Sequence, residues 1–163
     1  MSKDHVDGIA AAWARELPPV GGPQFELSKR AARLSAMFAE RVNTELARFG
    51  LTRAEYEILA VLRAAGDPFR LRPSALSERL LLSSGGTSNL VKRLGDAGLI
   101  EREADPSDAR SSWVRLSTEG AHVAEQTVLA ASAAQSALLH AVPAETVRAA
   151  NDALRHLLIA LGD

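Results

Sequence analysis

Ser83-Ser84-Gly85-Gly86-Thr87-Ser88-Asn89, followed by Lys92 and Arg93, gathers hydroxyls, a carboxamide, two glycines and two cations within eleven residues. What these groups share is hydrogen bonding to polar edges and attraction to anions. Asn presents a donor and acceptor that match adenine, Ser and Thr donate or accept, and Lys or Arg reaches guanine or neutralises phosphate. At the start of a helix, unpaired N–H groups and the positive end of the dipole favour a polyanion, and glycine lets its backbone come close. Ser84, Gly85, Gly86, Thr87, Ser88, Asn89, Lys92 and Arg93 are therefore candidate contacts to double-stranded DNA. A plainer reading stands beside this one: Ser83 to Gly86 only cap an amphipathic helix that buries Leu90, Val91 and Leu94. A nucleotide-binding glycine loop is disfavoured, because these glycines follow the helical pattern Ser77 to Leu82 and no strand.

The surrounding chain supplies elements that could position such a helix. Val6, Ile9, Trp13 and Leu17 recur at helical spacing behind Asp4, and Pro18-Pro19 stops them. Leu27, Ala31, Leu34, Phe38, Val42, Leu46 and Phe49 predict a long helix ending at Gly50. Thr52 and Glu55 form a capping box for the next helix, which Gly66 closes. Phe69 to Arg72 reads as a minimal strand, and Pro73 opens a helix over about residues 73–82. The helix after Ser83-Ser84 runs to about Ala97 and ends at Gly98, which makes a helix-turn-helix. Leu99 to Ala104 and Ser112 to Ser117 predict a β-hairpin with an overlong, charged tip from Asp105 to Ser111. Arg110 on that tip is a further candidate contact, reaching phosphate or a narrow minor groove, with Asp108 as its partner. From Thr118 an alanine-rich helix extends to Val142, and after Pro143 the spacing of Val147, Ala150, Leu154, Leu157, Leu158 and Leu161 predicts a last one.

The fold class expected is mainly α with a small β-hairpin wing (α+β): a winged helix-turn-helix flanked by N- and C-terminal helices that form a dimerisation domain. Residues 1–50 and 119–163 are the dimerisation parts and residues 51–118 the DNA-binding domain. Apolar stripes on the flanking helices exceed what so small a domain covers, so a second copy of the chain is the expected partner.

Composition narrows the function classes. The chain has no cysteine, which removes disulfides, thiolate metal sites and thiol nucleophiles and accords with a cytoplasmic location. Its four histidines are scattered without an i, i+4 pair, so no metal and no cofactor are expected. No apolar run reaches the roughly 18 residues of a membrane span, and residues 1–17 lack the apolar core of a signal peptide, so no membrane partner is expected. Net charge is −1, yet between Arg63 and Arg93 six cations face only Asp67 and Glu78, a basic footprint suited to phosphate.

Gly98-Leu99-Ile100-Glu101-Arg102-Glu103-Ala104-Asp105-Pro106-Ser107-Asp108-Ala109-Arg110, closing with Leu116-Ser117-Thr118-Glu119-Gly120, resembles the wing signature of the MarR family of bacterial winged-helix regulators. The resemblance covers nearly the whole chain from Leu27. It implies a homodimer held by terminal helices, one recognition helix per subunit, a pseudo-palindromic operator, and repression relieved by a small ligand. The helix before Pro18 is similar to a branch with an additional N-terminal helix that includes urate-responsive regulators, whose ligand is held by a Trp, an Asp and two Arg. Matched by position, Trp13 and Arg102 are retained, Glu57 stands for the Asp, and Leu90 replaces one Arg. Trp13, Glu57 and Arg102 are thus the candidate effector-binding residues, and loss of a guanidinium predicts weak recognition of urate itself. Trp13 also reads as a core anchor and Glu57 as a solvated helical acid. Two other function classes remain in view. One is a helical protein-interaction dimer that binds no DNA; the other is an enzyme in the interdomain crevice, for which the sequence offers no nucleophile elbow, metal constellation or cofactor fingerprint.

Overall fold

The computed structural model describes residues 3–105 and 108–162, the side chains of residues 108–111 excepted. The chain falls into two units, divided between Arg41 and Val42.

In the first unit, α1 (His5–Glu16) begins at Asp4, whose carboxylate accepts from the amides of Val6 and Asp7 at 2.8 and 3.1 Å. Asp7 in turn accepts from the Asp4 amide at 2.6 Å, so three amides at this end are satisfied. Pro18–Val20 forms a single 3₁₀ turn, and α2 (Pro23–Arg48) follows. Arg30 of α2 reaches Asp4, Asp7 and Glu26, each at 2.8 Å. This guanidinium holds the Asp4 carboxyl down at about 2, chiefly through their hydrogen bond.

The second unit contains the helix-turn-helix. Val42 and Leu46, at the end of α2, pack with Ala131 and Tyr56 in a small apolar cluster. Thr52 caps α3 (Arg53–Ala64) in the expected box with Glu55. The two-residue strand β1 (Arg70–Leu71) leads into α4 (Pro73–Leu80), and α5 (Ser84–Asp96) follows it. Ile58, Leu59 and Leu62 of α3 meet Leu76 of α4 and Val91 and Leu94 of α5 in the main core. That stripe is what fixes the pose of α5, since packing of an amphipathic face outweighs propensity.

Gly98 ends the turn after α5 with φ +72°, a conformation that penalises any Cβ. Strands β2 (Ile100–Asp105) and β3 (Asp108–Leu116) then make an antiparallel sheet with β1, in the order β1-β3-β2. Ile100, Val114 and Leu116 face the core, while Glu101, Glu103, Trp113 and Arg115 alternate to the other face. The overlong tip is a correction: Asp105 is already paired with Asp108 and Ala104 with Ser112, across an irregularity at Ala104/Asp105. Strand continues through residues 108–111 across that irregularity, as at a bulge, where extra residues of one strand oppose its partner.

Ser117 caps α6 (Thr118–Leu139), and at Gly120 a Cβ would lie 1.7 Å from the Leu99 carbonyl oxygen, so only glycine admits this close approach. The last helix is α7 (Ala144–Leu161), of which no residue is buried. The result is the expected mainly α fold with a small antiparallel sheet as its wing. No single helix among the described residues is long and apolar enough to cross a membrane.

Candidate nucleic-acid interface

The turn from α4 to α5 is made by backbone bonds. The Leu82 amide donates to the Ser77 carbonyl at 3.0 Å, and Ser83 caps α5 by accepting from the Gly86 amide at 3.1 Å. Of the residues expected to face DNA, Ser84, Gly85, Ser88, Asn89 and Lys92 lie on one exposed strip of α5. Gly86 is half-buried beside them.

Thr87 is a correction. Its side chain is 2% exposed and turned inward, where it accepts a hydrogen bond from the Ser77 hydroxyl at 2.9 Å and donates to the Ser83 carbonyl at 3.1 Å. A group so placed cannot reach a base edge. It ties α4 to α5, and so holds Ser88 and Asn89 outward. The helical period explains this: Thr87 shares its face with Val91 and Leu94, both in the core.

Arg93 points to α3. Its guanidinium lies 2.9 Å from Glu55, a buried carboxylate that also accepts from the Thr52 amide at 2.8 Å and hydroxyl at 2.6 Å. Burial pushes the Glu55 carboxyl up, but the Thr52 bonds and Arg93 outweigh it and hold the pKa below the ordinary value. Glu55 therefore stays charged near neutrality and anchors the recognition helix through Arg93, whose side chain keeps most of its surface in solvent. Lys92 pairs with Asp96 at 2.7 Å, chiefly a hydrogen bond that raises the lysine pKa. That exposed pair is weak enough for phosphate to displace Asp96.

The outer face of the sheet carries a cluster not foreseen in the sequence. Trp113 of β3 receives the guanidinium of Arg70 at 4.8 Å and that of Arg72 at 4.1 Å from its ring centroid. Arg70 is bonded to Glu103 at 2.6 Å and Arg72 to the buried carboxylate of Asp105. The Arg70 guanidinium thus ties β1 to both strands of the hairpin, and Arg72, the residue preceding α4, does the same for that helix. The signal available was the alternation of Trp113 and Arg115 along one strand; the partners came only with the pairing of β1. The side chains of Asp108 and Arg110, and hence their expected contact, lie outside the described residues.

Of the candidate effector residues, Arg102 lies on β2 opposite Val114. It lines a cavity of about 440 Å³ together with Ser88, Asn89, Lys92, Gly95 and Ile100. Glu57 is on α3, bonded to Arg53 at 2.6 Å, and does not line this cavity. Trp13 belongs to the first unit, where it is 43% exposed. Leu90, in place of a guanidinium, packs against the main core. No cluster of three metal-ligating side chains occurs among the described residues.

Two helices locked at a fixed angle, an outward strip of small polar side chains on the second, and an antiparallel hairpin beside it define a winged helix-turn-helix protein. The model of the MarR family matches residues 49–111. The multiple antibiotic resistance protein MarR of Escherichia coli K12 is 31% identical over 111 residues, 68% of this chain and 70% of that protein. The chain belongs to the MarR family. Among solved structures, a MarR variant from E. coli complexed with operator DNA shares the fold at a TM-score of 0.71 and 22% identity, over 90% of this chain and 97% of the other. CouR from Rhodococcus jostii RHA1, bound to p-coumaroyl-CoA, does so at 0.66 and 24%, over 80% of this chain and 90% of the other.

Proposed function

We infer that the chain is a DNA-binding transcriptional regulator that acts as a homodimer and changes its DNA affinity on binding a small effector. The observation that carries this is the outward strip Ser84, Gly85, Ser88 and Asn89, short side chains flanked by Lys92, on a core-packed helix. An α-helix so faced fits a major groove about 12 Å wide, with Asn89 and Ser88 at base edges and Lys92 on phosphate. Gly86 and the N–H groups of the first turn face the phosphate path, and Arg110 of the wing takes a flanking backbone or minor-groove contact. Family membership and the operator complex of a related fold support the same reading. In this division of labour residues 51–118 bind DNA, and residues 1–50 and 119–163 form the dimer.

The effector reading rests on Arg102. A ligand in the cavity between α5 and β2 would touch Ser88 and Asn89 as well, and so compete with or reorient the groups that read DNA. An anionic, aromatic compound suits Arg102 and Lys92 beside Val91 and Ile100. The test is retardation of duplex DNA from upstream of the chain's own coding region, titrated with salt and with a panel of aromatic acids and purines. Binding that weakens linearly in log salt, and is altered by at least one effector, is expected. Absence of any duplex binding at low salt would overturn the DNA reading, leaving a protein-interaction dimer as the better account.

A further inference from the structure

Residues 80–82 are three consecutive leucines of which two turn inward: Leu80 packs against the main core and Leu82 is half-buried. Leu81 does neither. Its side chain is 93% exposed, and its backbone is left-handed, with φ 52° and ψ 36°. The turn it occupies is closed by backbone bonds, from the Leu81 amide to Glu78 and from the Leu82 amide to Ser77, at 3.2 and 3.0 Å. The fold thus makes no use of this side chain, and a left-handed residue with a Cβ is disfavoured relative to glycine or asparagine.

Four residues further on, the situation is reversed. Gly85 stands in the first turn of α5, where a Cβ would meet nothing within 4 Å and where alanine would favour the helix. Bulk is present where the backbone resists it and missing where the fold has room. Gly85 lies within the exposed strip Ser84, Gly85, Ser88 and Asn89, and Leu81 stands three residues ahead of it in the chain. A helix faced with such short side chains approaches the groove floor closely, and a leucine projecting just ahead of its N-cap then reaches beyond the strip.

We propose that Leu81 is a specificity-determining residue that packs its isobutyl group against the 5-methyl group of a thymine at the edge of the major groove. The proposal rests on the DNA-binding reading above. Thymine is the base with an apolar group on its major-groove edge, and apolar contact with that methyl discriminates it from cytosine. Leu81 also keeps the operator interface continuous from α4 into α5, and it supplies the apolar contact that the polar strip lacks.

The experiment compares wild type with Leu81→Gly on an operator fragment in which each thymine in turn is replaced by deoxyuridine, which removes only the methyl. Wild type should lose about fourfold in affinity at one position in each half-site, the effect of exposing one buried methyl. Leu81→Gly should bind the unmodified fragment at least about tenfold more weakly, be indifferent to uracil at that position, and keep the same salt slope, because no phosphate contact is lost. Its thermal midpoint should rise, since glycine relieves the left-handed backbone. Equal affinities of the two proteins, or identical uracil responses at every position, would overturn the proposal. So would a Leu81→Gly protein whose only change is a weaker dimer, which would assign the side chain to a second copy. Failure of wild type to bind any duplex would overturn the DNA reading as well, and is thereby distinct from a loss confined to residue 81.

Discussion

Asn89 and Thr87 are two residues apart, carry similar polar groups, and have opposite fates. Asn89 is exposed on the strip, so Asn89→Ala should leave the thermal midpoint unchanged and relax discrimination at one base position, worth about 1–3 kcal/mol. Thr87→Val should do the reverse. It deletes a buried hydroxyl that accepts from Ser77, at a cost of about 1 kcal/mol in stability, while the ranking of operator variants stays as in wild type. Thermal unfolding and competition binding on the two variants check the pair, and an exchange of their effects would refute the orientation of α5. The types and spacing of these residues were legible in the sequence, and so was the helical period that puts Thr87 on one face with Val91 and Leu94. The bond from Ser77 was not, because only the packing of α4 on α5 brings that hydroxyl to Thr87. The bond between Arg93 and Glu55 was hidden for the same reason: the sequence showed Glu55 as a capping-box member, and only the packing of α3 on α5 brings the guanidinium to it.

At the scale of elements, the wing is tied to the helix-turn-helix by side chains that never approach the strip. Arg72 precedes α4, bonds the buried Asp105 of β2, and stacks on Trp113 of β3, so the hairpin and the first helix of the motif move as one piece. Asp105→Asn should cost about 1.5–3 kcal/mol of stability by weakening a charged hydrogen bond. It should also shift Trp113 emission and lower DNA affinity without altering the salt slope, because what changes is the aim of the wing and not a phosphate contact. An affinity equal to wild type would show that the wing needs no such brace. The helix boundaries themselves were readable because their signals are local: Asp4, Thr52 and Ser83 cap, and Gly98 closes. The hairpin's true extent was not, since the pairing of Asp105 with Asp108 beyond an irregularity at Ala104/Asp105 depends on the partner strand.

At the scale of the whole molecule, α7 has no buried residue and exposes Leu154, Leu157, Leu158, Ile159 and Leu161. Such an apolar helix in water asks for a partner surface, and a second copy supplies the two-fold symmetry that a pair of recognition helices needs. In the proposed symmetric pair the two strips would meet successive turns of one face of a duplex, about 34–36 Å apart. Periodicity exposed the stripe on α7, and the excess of apolar surface over what so small a domain covers already called for a second copy. The account therefore meets its most direct test in dimethyl sulfate interference on a bound operator fragment. Guanine methylation at N7, in the major groove, should block binding in two clusters related by two-fold symmetry and about 10 bp apart. A single cluster, or interference confined to adenine N3 in the minor groove, would contradict it.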